Sequence, residues 1–90
     1  MNKEDFLQFL AKSGLPEPVL VEWESGSMKE HDHPFEARGF IVSGSITLNV
    51  AGVETEYVSG DVFHLLPHQK HAESYGAQGV QYLVSRKQTS

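Results

Sequence analysis

The chain contains no cysteine. That absence removes disulfides, Cys-ligated zinc, iron–sulfur clusters and thiol nucleophiles together, and it leaves the redox compartment unmarked. No apolar run approaches the roughly 20 residues of a membrane span, and the N-terminus lacks the pattern of a signal peptide. No membrane partner is therefore expected, and a cytoplasmic location follows by default. Positive charge is scarce: seven Lys and Arg stand against twelve Asp and Glu, for a formal net charge of −5. That balance argues against a nucleic-acid partner, whose phosphates need neutralising cations. What is present is 90 residues, enough for one small domain with a modest core. A metal ion or dimerisation would help such a core.

The first stretch reads as a helix. Asn2 is a suitable N-cap, Glu4 and Asp5 suit the first turn, and Gly14 followed by Pro16 ends the element. Phe6, Leu7, Phe9 and Leu10 fall at helical spacing and form a stripe that would dock on the domain's own sheet. After Pro18 the period changes to two. Val19, Val21 and Trp23 alternate with Leu20, Glu22 and Glu24, and Gly26 breaks that strand. An extended run from Lys29 to Val42 follows, then a turn at Ser43-Gly44. Ile46, Leu48 and Val50 lead into a tight Ala51-Gly52 hairpin, with Val53, Thr55 and Tyr57 on the return. Val62 to Leu66, His71 to Tyr75 and Val80 to Ser85 are further short strands, with Gly76 and Gly79 bracketing a loop. Arg86 to Ser90 reads as a polar, fraying tail. Seven or eight short strands between regular turns predict an all-β sandwich or barrel: one domain over residues 1–90, a helix within 1–14 and the strands within 18–86.

His31-Asp32-His33 carries the chemistry. Residues i and i+2 of a strand face the same side, so two imidazoles can converge on one metal ion, and His71 stands downstream as a third ligand from another strand. Imidazole suits transition metals without naming one. The commonplace alternative is a pair of surface histidines on a polar turn.

The glycines around these histidines turn the pattern into a resemblance. Gly26, His31, His33 and Gly44 follow the cupin pattern G-x5-H-x-H-x(3,4)-E-x6-G with the first spacing one residue short, and Gly60 to His71 follows the second pattern, G-x5-P-x-G-x2-H-x3-N. Nearly the whole chain resembles a small single-domain bacterial cupin, including the phrases His-Pro-Phe-Glu-Ala and Gly-Asp-Val-Phe-His-Leu. The resemblance implies a small jelly-roll β-barrel with a metal site inside. It implies His31, His33 and His71 as ligands of one divalent transition metal, whether iron, nickel, zinc or manganese. The chain also departs from the pattern. Ala37 stands where the family's glutamate ligand falls, Leu66 and His68 replace the proline and glycine, and Tyr75 replaces the asparagine. Glu36 is next to Ala37, but strand parity turns it outward toward Arg38 unless a bulge redirects it. Three neutral imidazoles alone would leave the ion's charge uncancelled and favour an anionic ligand.

Parity also names a cavity wall: His31, His33, Phe35, Ala37, Gly39 and Ile41 on one strand, with Ile46, Leu48, Val50, Phe63, Leu65, Tyr82 and Val84 as apolar lining. Phe40 and Val42 face the other way, toward the helix or a dimer partner. His64 reads as structural and His68 as a turn residue, and Gln69 could donate a hydrogen bond to a bound ligand. Two function classes follow. One is a metal-dependent enzyme, dioxygenase-like or Lewis-acid, acting on a small anionic organic substrate. The other is a non-catalytic barrel that binds or senses a small molecule. The acid/base candidates that would decide between them are His68, Glu73, Tyr75 and Tyr82. Exposed strand edges and surplus apolar surface, Trp23 included, point to a homodimer.

Overall fold

The computed structural model describes residues 1–88. The helix forms where its caps place it. The carboxamide Oδ1 of Asn2 accepts from the Asp5 backbone N–H (2.8 Å), and α1 runs Lys3–Lys12. Phe6 and Leu10 are its buried face. They close over Phe40, with Leu15, Val62 and Leu83 around them. Leu7 and Phe9, half of the predicted stripe, stay largely exposed, and the Phe9 ring carries the Arg38 guanidinium instead. Phe40 thus packs under the helix, whereas Val42 remains at the surface. No helix among the described residues is long and apolar enough to cross a membrane.

The other regular elements among the described residues are strands. β1 is Val19–Trp23, β2 Gly26–His31, β3 Phe35–Val50, β4 Val53–Val58, β5 Val62–Leu65 and β6 His71–Gln88. All pairings are antiparallel, in one sheet ordered β1-β6-β3-β4, with β2 also on β6 and β5 also on β3. The sheet folds around a core without closing on itself. Its interior holds Ala37, Ile41, Ile46, Leu48, Phe63, Leu65, Val80, Tyr82 and Val84.

Six strands replace the seven or eight expected because β3 and β6 run through two predicted breaks. They pair from Phe35↔Gln88 to Asn49↔Ala72, slipping register between Ile41 and Ser43 and again between Gly44 and Ile46. Ser43-Gly44 is therefore an irregularity inside a continuous strand. Gly44 has φ +76, and a Cβ there would collide with the Gly79 carbonyl, so the bent strands touch where only glycine fits. The slip changes the facing of β6. His71, Glu73 and Tyr75 serve the interior on odd positions, whereas Val80, Tyr82 and Val84 serve it on even ones. The predicted tail is strand as well: Arg86, Lys87 and Gln88 pair with Ala37, Glu36 and Phe35, while residues 89–90 lie outside the described residues.

The expected run from Lys29 to Val42 is interrupted in the opposite sense. β2 ends at His31 and β3 begins at Phe35, so His33 lies in the connection rather than on a shared strand. A hydrogen bond from the His68 backbone N–H to the His33 carbonyl (2.6 Å) ties this connection to the turn before β6. His68 adopts φ +60, the left-handed conformation, at the position where the cupin pattern has glycine.

Candidate metal centre

Three elements converge on one point. The end of β2 supplies His31, the following connection supplies His33, and the start of β6 supplies His71 and Glu73. One donor atom from each of the four lies within 4.8 Å of all the others. His31 and His71 are Cα partners across the β2–β6 ladder, where a bulge between Met28 and His31 sets the alignment. The rings of His31 and His33 have centroids 4.8 Å apart, those of His31 and His71 4.4 Å, and those of His33 and His71 5.4 Å.

Hydrogen bonding fixes which nitrogen faces inward. Nδ1 of His31 lies 2.6 Å from the Lys29 carbonyl, and Nδ1 of His71 lies 2.9 Å from the Gln69 carbonyl. A carbonyl only accepts, so each Nδ1 carries a proton, and in the neutral ring the lone pair sits on Nε2. Both Nε2 atoms are buried without a hydrogen-bond partner, and both approach Oε2 of Glu73, at 3.1 Å and 3.4 Å. Two lone pairs and a carboxylate oxygen aimed together repel unless a proton or a metal ion lies among them, and one metal ion would satisfy all three at once. The residues therefore fit a divalent metal ion, and backbone carbonyls already orient two of its ligands.

Around this point each partner is placed. The Tyr75 hydroxyl donates to Oε1 of Glu73 (3.0 Å), which leaves Oε2 for the histidines. Burial, and then the neighbouring Glu73 carboxylate, push the Tyr75 pKa up, so the hydroxyl keeps its proton. His33 stacks on Phe35 (4.8 Å between centroids, 7° between planes). Burial lowers its pKa, and the His31 and His71 charges lower it further. Trp23 stacks on Tyr75, and its Nε1–H donates to the Tyr82 hydroxyl (3.2 Å). Burial raises the pKa of Tyr82.

The cluster opens into a cavity of about 130 Å³. Phe35, Ala37, Ile46, Leu48, Phe63, Leu65, Tyr82 and Val84 form its wall, as parity predicts. Trp23, Met28 and Arg86 join them, whereas Val50, Gly39 and Ile41 do not line it.

The structure adds a carboxylate to the three histidines, and it comes from neither residue 37 nor Glu36. Glu73, foreseen only as an acid/base candidate, sits among the histidines. The signal was available in the sequence: Glu73 is two residues beyond His71 on an extended run, the same spacing that pairs side chains on one face of a strand. Glu36 is elsewhere. Its carboxylate meets Nε2 of His64 (3.0 Å) and Arg38 (3.9 Å), and the His64 hydrogen bond leads the effects that hold its pKa low. His68 is exposed, 3.8 Å from Asp32. Gln69 caps the turn, accepting from the Leu66 backbone N–H (2.9 Å).

No family model matches the sequence, and no curated protein matches it. Solved structures do. An RmlC-like cupin from Shewanella frigidimarina aligns over 81% of this chain and 68% of its own, with a TM-score of 0.64 and 22% identity. A DUF861 family protein from Thermotoga maritima aligns over 91% of this chain and 89% of its own, with a TM-score of 0.69 and 13% identity. A variant of oxalate decarboxylase from Bacillus subtilis aligns over 79% of this chain, with a TM-score of 0.70 and 14% identity, and this chain spans 20% of that longer protein. These likenesses show the cupin jelly-roll fold.

Proposed function

We propose that this small cupin binds one divalent transition metal through His31, His33, His71 and Glu73, and acts on a small anionic organic substrate in the cavity beside it. The carrying observation is the pair of buried Nε2 atoms, each ring oriented by a backbone carbonyl, that converge on one carboxylate oxygen. A bound ion would supply Lewis acidity there or, as iron, a redox centre. The chain's own residues do the rest. Tyr75 holds Glu73 by one oxygen. Phe35 steadies the His33 ring. The apolar wall excludes water from the ligand's flank and so strengthens each polar contact inside. A structural neighbour, oxalate decarboxylase, is by its name an enzyme acting on a small dicarboxylate, which agrees in kind with this reading.

One observation favours the second reading, a binding module without turnover. Of the four acid/base candidates, Glu73 belongs to the cluster, Tyr75 is committed to Glu73, and His68 stands outside the cavity wall. That leaves, of the four, the Tyr82 hydroxyl, whose proton has no acceptor among the described residues. Metal chemistry that needs no protein acid would still fit.

The test is metal analysis of protein prepared without a histidine tag or chelator, followed by zinc titration. The wild-type chain should hold about one ion per protomer. His33→Ala and Glu73→Gln should each weaken binding by about tenfold or more, since each removes a ligand. Glu36→Ala should bind as the wild type does. Equal zinc affinity for the wild type and His33→Ala would overturn the reading.

A further inference from the structure

Arg86 is the only Lys or Arg on the cavity wall, and the metal-centre chemistry leaves it unused. Its guanidinium lies 5.8 Å from the centroid of the Phe35 ring, the ring on which His33 also stacks, so one aromatic side chain carries both the cation and a proposed metal ligand. Among the described residues Arg86 makes no ion pair. The register explains why. Arg86 stands across the β3–β6 ladder from Ala37, where the cupin pattern has glutamate. A carboxylate at residue 37 would neutralise the guanidinium across the strands. With alanine there, Arg86, itself exposed to solvent, offers an unpaired fork of N–H donors at the cavity's rim.

Glu73 would cancel one charge of a divalent ion, and the exposed Arg86 adds a solvent-screened positive charge at the rim, so the site as a whole would stay cationic. The remaining wall is apolar apart from the imidazoles and the Tyr82 hydroxyl, which accepts from Trp23 and whose own hydrogen has no acceptor among the described residues. Size narrows the ligand further. The cavity, at about 130 Å³, is well below the roughly 300–1,000 Å³ of pockets for drug-sized ligands, which excludes nucleotides and oligosaccharides from full enclosure.

We propose that Arg86 anchors the carboxylate of a small organic acid of a few carbon atoms, with the Tyr82 hydroxyl as a second donor, while the acid's other end reaches the His31–His33–His71–Glu73 cluster. The second half of this arrangement rests on the metal-binding reading above. The carboxylate half rests on Arg86 alone. Arg86 is in this sense a specificity-determining residue: it selects charged acids over neutral isosteres.

Malonate serves as the probe and malonamide as its uncharged counterpart, each titrated calorimetrically into the zinc-loaded protein. The wild type should bind malonate more tightly than malonamide. Arg86→Gln should weaken malonate by about tenfold or more, as expected for losing a charge-assisted pair. Its affinity for malonamide and its zinc content should not change. Arg86→Lys should recover part of the loss, because it restores the charge without the fork. Equal malonate affinity in the wild type and Arg86→Gln overturns the proposal, as does a wild type that binds both probes alike. The metal-free protein separates the two readings. Arg86-dependent malonate binding by a chain that takes up no zinc sinks the metal centre and keeps the anchor. Zinc uptake with malonate affinity indifferent to Arg86 does the reverse.

Discussion

At the scale of single residues, neighbours and burial set the protonation of His33 and Tyr75 in the site. His33 is the clearest case. Burial first, and then the His31 and His71 charges, place its pKa in the metal-free protein below the ordinary value of 6.5. Between that depressed value and 6.5 the unfolded chain holds more protons at this residue than the folded one. The resulting contribution to stability is present above about pH 6.5 and is lost as pH falls through that value toward the folded pKa. An NMR titration of the metal-free protein should therefore give His33 a midpoint below 6.5. A midpoint at or above 6.5 would show that the ring is solvated or paired with Glu73. The three histidines were legible from spacing and from the glycines that frame them. Glu73 and Arg86 were not recognised for their places in the site, for different reasons. Glu73 carries the right spacing from His71 but was overshadowed by the absence of glutamate at Ala37. Arg86 looked like part of a polar tail because nothing local in Arg86-Lys87-Gln88 signals that β3 continues opposite it.

At the scale of elements, the sequence marked the hairpin turn but also marked turns where the strands continue. Ala51-Gly52 makes the predicted hairpin, with Val50 paired to Val53. Ser43-Gly44 and Gly76–Gly79 carry the same residue types, yet the strands run through them, because long-range pairing between β3 and β6 overrides a local turn preference. Two substitutions separate the roles of backbone conformation at such places. His68→Gly relieves a left-handed residue whose strain is about 1–2 kcal/mol, offset by glycine's greater freedom in the unfolded chain. Urea denaturation should find it neutral or up to about 1 kcal/mol more stable. Gly44→Ala sets a side chain at φ +76 against the Gly79 carbonyl. It should lose about 1–3 kcal/mol from strain alone, and more from the collision. If the alanine variant denatures at the same urea concentration as the wild type, β3 and β6 do not touch at this bend.

At the scale of the whole molecule, β1 is a border of the sheet with little charge to guard it. It pairs with β6 on one side only among the described residues and bears Val19 and Leu20, 49% and 55% exposed, with Glu22 as its one acidic residue; the β4 border also exposes Val53 and Val58 but sets Glu54 and Glu56 between them. Charged residues discourage edge-to-edge pairing, and apolar ones invite it. A homodimer joined isologously through β1 is the expected assembly. Light scattering should report twice the chain mass at micromolar concentration. Leu20→Lys should shift the protein to monomer without releasing zinc. A wild-type monomer would dispose of the idea.

The slip within β6 has a consequence in the currency of insertions and deletions. The strand is read in two frames, an odd one through His71, Glu73 and Tyr75 and an even one through Val80, Tyr82 and Val84, joined at the bend of residues 76–79. A change of one residue at the bend would merge the frames and turn either the ion-facing or the cavity-facing set to the outside. A change of two would keep both facings and alter only their separation. Descendants of this chain could therefore resize the cavity by lengthening or shortening the bend in pairs, leaving the histidine cluster untouched.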